Sequence, residues 1–348
     1  MKQQRQQQPT TKTQFYHSPS TNVPAPLACL MHYLVVGGVS TSVHDLLLLL
    51  EDKPTVVTTT TTTTKSTQTI IGWFFGIYAI WLLVTRLWTI SAKAAALAQP
   101  PTTTARSTLP QHIVWETTHA QNVVWYEMAW LCNVTLVMAA WSLVTHRPLL
   151  AWAHGLTVAI DQLLWYVDGV VYVATGKTLV GVFNHIILDA KTNRWYHHLT
   201  TWHHIWTLPL LVLATPPRSS LETQNGTEYS NDSASYLRNN YIYFRLWILS
   251  AAVMTLNVVG SRFWTPYGVV VVRNDRRCSF FYINTNLCYE VWQKLSLDDI
   301  FFLRIQHDSP SVPLYLTRLL TRWMFLNTLI LVAAVGLIHI FYGSIMES

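Results

Sequence analysis

The stretch that decides the fold is IIGWFFGIYAIWLLVTRLWTI, residues 70–90. It is apolar almost throughout, and it matches the roughly 20 residues a helix needs to cross the hydrocarbon core of a bilayer. Trp73, Trp81 and Trp88 stand near its ends and middle, and tryptophan is enriched where a helix meets the headgroups. The pattern predicts a membrane-spanning helix, and the rest of the chain reads in the same way.

Of 348 residues, 51% are apolar and 11% charged, against about 25% charged in soluble globular chains. Sixteen Trp and sixteen Tyr add the amphipathic aromatics typical of membrane interfaces. The formal charge of +6 is spread over basic residues that mostly flank apolar runs. The expected partner is therefore a lipid bilayer and not nucleic acid. The four cysteines are Cys29, Cys132, Cys278 and Cys288. No spacing among them reads as a zinc site or a redox pair, although Cys132 falls inside a predicted span.

Residues 1–69 read as a disordered, low-complexity N-terminal region, Gln-rich at the start and nearly all Thr over 55–69. Within it, 27–50 holds two apolar clusters interrupted by Gly37-Gly38, Ser40-Thr41-Ser42 and His44-Asp45. A targeting segment, an interfacial helix and an extra span all fit that pattern. Residues 70–348 read as the transmembrane domain. Further spans are predicted over 122–145, 149–173, about 195–215, 241–260 and 318–342, with a half-helix or re-entrant piece over 178–190. The loop 262–317 carries Arg262, Arg273, Arg276, Arg277, Lys294 and Arg304, which predicts a cytoplasmic location. The loop 216–240 carries two glycosylation acceptor patterns, Asn225-Gly226-Thr227 and Asn231-Asp232-Ser233, and use of either places it on the other side. Within 262–317, β-branched and aromatic runs flank Asn274-Asp275 and predict a short hairpin. The predicted fold is all-α: a polytopic transmembrane helical bundle of six to seven spans with a disordered N-terminal tail.

Ionisable residues inside spans are costly and usually face the bundle interior. His154, Asp161 and Asp168 are spaced by seven, nearly two turns, so a continuous helix puts them on one face. Glu127 lies in the preceding span and Arg245 in a later one. A polar cavity through the bundle and a set of buried packing pairs both fit. The segment 193–209 concentrates His197, His198, His203 and His204. At ~100° per residue, His197 and His204 share a face while His198 and His203 point elsewhere. No two are at the i,i+4 spacing by which a helix offers two imidazoles to one metal. A metal site then needs ligands from other segments, and His185, His154, Asp168 and Glu127 are the candidates. The alternative is interfacial histidine beside tryptophan, contacting headgroups.

Arg194-Trp195-Tyr196-His197-His198-Leu199-Thr200 resembles the His-x-x-His-His box of the ELO family of very-long-chain fatty acid elongases. Asp168-Gly169-Val170-Val171-Tyr172-Val173, ending in Gly176-Lys177, is similar to the segment that precedes that box. The resemblance implies a seven-span protein of the endoplasmic reticulum that condenses an acyl-CoA with malonyl-CoA. His197, His198 and Asp168 are the residues it carries over. Arg194 stands where the family has its leading histidine, and His203-His204 lies outside the family pattern.

Three functions fit these observations. In a lipid- or acyl-modifying enzyme of the endoplasmic reticulum or another endomembrane, His197, His198, His203, His204 and Asp168 carry the chemistry. Lys177, Lys191 and Arg194 then hold a CoA-type or headgroup substrate, with His154, Asp161 and Arg245 lining its path. In a transporter or proton-coupled channel, the 178–190 segment is a broken helix and Asp161, Asp168 and Glu127 are coupling carboxylates. In a non-catalytic scaffold, the same residues are structural. The sequence identifies no cofactor and no metal.

Overall fold

The computed structural model describes residues 23–49, 62–96, 115–118, 120–179, 202–214, 233–264, 268–273, 276–282, 320–321, 324–330 and 332–333. The first helix, α1 (Ala25–Leu49), buries Ala25, Ala28, Cys29, His32, Val36, Ser40 and His44. These positions are three or four apart and form one face. Leu27, Leu30, Leu34 and Leu46 lie exposed on the other side. Small and polar groups point inward and large apolar groups outward, the reverse of a helix in water. That inversion suits a helix that packs closely on its neighbours and presents hydrocarbon to lipid. The segment 27–50 thus takes the form of a helix of spanning length, packed against the helix at 233–264.

The helix over the opening stretch, α2 (Thr62–Ala96), follows the same rule. Ile70, Trp73, Ile77, Ile80, Val84 and Trp88 are exposed, whereas Ile71, Phe75, Ala79 and Leu82 are buried. It begins inside the Thr-rich stretch read from sequence as a linker, and it continues past Ile90. α1 and α2 are long and apolar enough to cross a membrane.

The next two predicted spans are each broken. α3 (Ala120–Met128) and α4 (Leu131–Val144) meet at 62°, and α5 (Pro148–Thr157) and α6 (Ala159–Thr175) meet at 60°. If each bent pair counts as one span, four crossings are described in all. Both breaks are stable because side chains take up the carbonyls that the bends release. At the first, Asn133 Nδ2 donates to the Glu127 carbonyl at 2.7 Å and the Tyr33 hydroxyl donates to that of Met128 at 2.7 Å. At the second, the hydroxyls of Thr157 and Thr135 donate to the His154 carbonyl at 2.7 and 3.1 Å. The two breaks are thus joined through Thr135. The turn between α4 and α5 runs through His146 at φ 57°. The Arg147 N–H closes it on the Ser142 carbonyl at 2.7 Å, and Pro148 occupies the start of α5, where its missing N–H costs nothing.

α7 (His203–Ala214) contains Pro209, which cannot donate to the Ile205 carbonyl four residues earlier. The Tyr166 hydroxyl of α6 donates to that carbonyl instead, at 2.9 Å. Gln68 of α2 donates to the terminal carbonyl of Ala214 at 3.2 Å. A core of Phe75, Leu136, Leu143, Ala151 and Leu211 joins α2, α4, α5 and α7. The long helix α8 (Ser233–Trp264) packs on α1 and α5. There His32 Nε2 lies 3.2 Å from Asn257 Oδ1. Trp247 Nε1 donates to Thr328 Oγ1 at 2.7 Å, which fastens the last described apolar helical segment to α8.

The strands belong to the loops, and the apolar body is helical. The predicted hairpin is present as β2 (Gly268–Arg273) and β3 (Arg276–Tyr282), antiparallel about residues 274–275. The loop between α2 and α3 contributes β1 (Trp115–Thr118), parallel to β2. That pairing brings the start of α3 and the end of α8 to the same side. The opposite side is marked by Arg147 Nη2 donating to Asp45 Oδ2 at 3.2 Å, and by the Gln68–Ala214 bond.

Candidate functional site

Three short polar segments meet where the two broken helices and α7 adjoin. Cys132 is in the first turn of α4, Asp161 and Gln162 are in the first turn of α6, and His203 and His204 open α7. One donor atom from each of Cys132, His203 and His204 lies within 4.8 Å of the others. Both histidines are buried. Their ring centroids are 4.1 Å apart with planes tilted by 34°.

His203 and His204 turn toward different helices, yet their rings stay close enough to share one cluster. α7 is wedged between α2 and α6, so consecutive residues on it can both face protein. His203 turns toward α2, with Tyr78 at 6.1 Å between centroids. His204 turns toward α6, stacked on Trp165 at 4.9 Å and 4°. Gln162 Nε2 lies 3.0 Å from His204 Nδ1. Cys132, Gln162, Trp165 and Tyr78 are the members that sequence reasoning missed. One signal was present: Gln162 and Trp165 are three apart beside Asp161, a polar and aromatic pair on one helical face.

The proposed alignment of His154, Asp161 and Asp168 is corrected by the 60° break at Val158. Asp161 and Asp168 share α6 and are both buried, while His154 lies before the break on α5, also buried. Neither ring nitrogen of His154 has a hydrogen-bond partner among the described residues. Of the outside ligands expected for a metal, His154, Asp168 and Glu127 are described and do not belong to this cluster; its third donor among the described residues is Cys132. Arg245 is buried on α8. Lys177 is exposed just beyond Gly176, which ends α6 at φ 70°. Glu127 pairs with Arg86 at 3.2 Å, both largely buried, and the Arg86 guanidinium lies 5.9 Å from the Trp130 ring centre. His185, Lys191, Arg194, His197 and His198, and with them the half-helix at 178–190 from Val180 on, lie outside the described residues.

Fold and site together define a helical protein of the membrane class with a Cys–His–His cluster, its histidines buried and its cysteine half-buried, at two helix breaks. No known protein family, curated protein or solved structure matches the chain.

Proposed function

We propose that the chain is a seven-span endomembrane enzyme that modifies a lipid or acyl substrate, with His203 and His204 at its reacting centre. The observation that carries this reading is the burial of two adjacent imidazoles, one oriented by Gln162 and Trp165, where the helical backbone is interrupted. Imidazole serves in such centres as an acid–base group or as a metal ligand. An apolar bundle with an outward apolar surface gives an acyl chain lateral access from the bilayer. Lys177, Lys191 and Arg194 supply positive charge for a phosphate-bearing head, and the ELO-like segment at 194–200 is consistent with such a substrate. The seven crossings are α1, α2, the two bent pairs, a span ending in α7, α8 and the last apolar segment. The side bearing the sheet is then cytoplasmic. The test is a lipid profile of cells that produce the protein in equal amounts as wild type, His203→Ala and His204→Ala. The reading expects altered acyl composition only with wild type, and identical profiles in all three would end it.

A transporter is the second reading, favoured by the paired bends of 62° and 60° beside buried carboxylates, since discontinuous helices form ion sites in such proteins. Reconstituted protein showing pH- or potential-driven flux, with unchanged lipids, would select it.

A further inference from the structure

We propose that Cys132, His203 and His204 bind one transition-metal ion of the zinc class. This rests on the cluster geometry and not on the lipid reading. In a tetrahedral site with Zn–N near 2.0–2.1 Å and Zn–S near 2.3 Å, donor atoms stand about 3.5 Å apart. The present donors, within 4.8 Å of one another, need a contraction of about 1 Å and a rotation of one imidazole to reach that geometry.

The donor set speaks to the kind of ion. One thiolate and two imidazoles suit zinc or copper and not calcium or magnesium, which take oxygen. The described residues supply three ligands of the four that a tetrahedral zinc ion takes.

An independent observation comes from Gln162. Its amide faces His204 Nδ1 at 3.0 Å, while its buried Oε1 has no hydrogen-bond partner among the described residues. Turning the amide over lets Oε1 accept Nδ1–H and commits the Nε2 lone pair of His204 to a ligand. Amide orientation is assigned from such networks, and an outer partner of this kind is the usual companion of a metal-bound imidazole. Trp165, stacked flat on His204, holds the ring plane. Buried Asp161, in the same turn as Gln162, would offset the positive charge of the ion.

The experiment uses the full chain purified in detergent, stripped with chelator and titrated with Co²⁺ and then Zn²⁺. Wild type is expected to bind about one ion per chain and to show thiolate-to-cobalt charge transfer together with the intense visible bands of tetrahedral cobalt. Cys132→Ala should lose the charge-transfer band. His203→Ala and His204→Ala should lose the tetrahedral bands, and His146→Ala should keep both. Gln162→Leu, which leaves all three donors in place, should weaken binding about 10- to 100-fold. A wild-type protein without a saturable cobalt spectrum would overturn the proposal without any variant. So would a charge-transfer band that persists in Cys132→Ala. Lipids altered in cells by wild type, together with no saturable cobalt spectrum from the purified protein, would remove the metal and leave the enzyme reading standing.

Discussion

His146 shows how much one residue holds. A β-carbon makes the left-handed conformation cost roughly 1–2 kcal/mol, and His146 sits there at φ 57° because the turn must reverse the chain within three residues before Pro148. Replacing it with glycine is expected to raise thermal stability in detergent, by about 0.5–1 kcal/mol once glycine's greater unfolded-state entropy is counted. A fall in stability would mean that the imidazole contributes a contact worth more than the strain. Arg86 and Glu127 pose the opposite case. Removing one partner of a buried ion pair strands the other charge, so Arg86→Met should destabilise by about 3–5 kcal/mol. The double variant Arg86→Met, Glu127→Leu should recover much of that loss. Equal losses in single and double variants would show that the pair acts through other neighbours.

Among the elements, α2 and α4 depend on the absence of a side chain at one position. A β-carbon at Gly72 would stand 2.8 Å from Val144 Cγ2 and 3.1 Å from both the Ala140 carbonyl oxygen and Leu143 Cβ, whereas one at Gly76 would meet Ala140 Cβ at an ordinary 3.8 Å. Gly72→Ala should therefore cost about 1–3 kcal/mol through displacement of the helices. Gly76→Ala should be neutral or stabilising, since alanine is the better helix former. Equal melting temperatures for the two variants would contradict the close approach. The junction of α6 with α7 is testable in the same manner. Tyr166→Phe leaves the Ile205 carbonyl without its hydroxyl donor and should cost about 1 kcal/mol. Pro209→Ala restores the helical N–H to that carbonyl, so the two changes together should cost less than the sum of their separate effects. Strict additivity in a thermal-melt cycle would refute the link.

For the whole molecule, the β1–β2 pairing makes a statement about sidedness. β1 precedes α3 and β2 follows α8, so their pairing puts the start of α3 and the end of α8 on one side, and the proposed seven crossings then predict residue 103 on that side and residue 219 on the other. Single cysteines introduced at Thr103 and at Ser219 in a cysteine-free background should react oppositely with a membrane-impermeant maleimide in sealed vesicles. A cysteine kept at position 278 should follow Thr103. Matching labelling of Thr103 and Ser219 would be incompatible with the proposed seven crossings.

The sequence by itself determined that the described body is helical and apolar, because run length and the scarcity of charge are properties of local chain. It also located the hairpin at Asn274-Asp275, since turn chemistry is local as well. It showed the histidine concentration at 197–204 but not which of those rings meet. Only the tertiary structure decided that two spans break, because the donors that stabilise the breaks (Tyr33, Asn133 and Thr135) come from residues distant along the chain or across the bend. The breaks in turn undid the straight-helix alignment of His154 with Asp161. They brought Cys132 to a histidine pair about 70 residues away in sequence, a meeting that helical periodicity, which relates only positions on one continuous helix, does not encode.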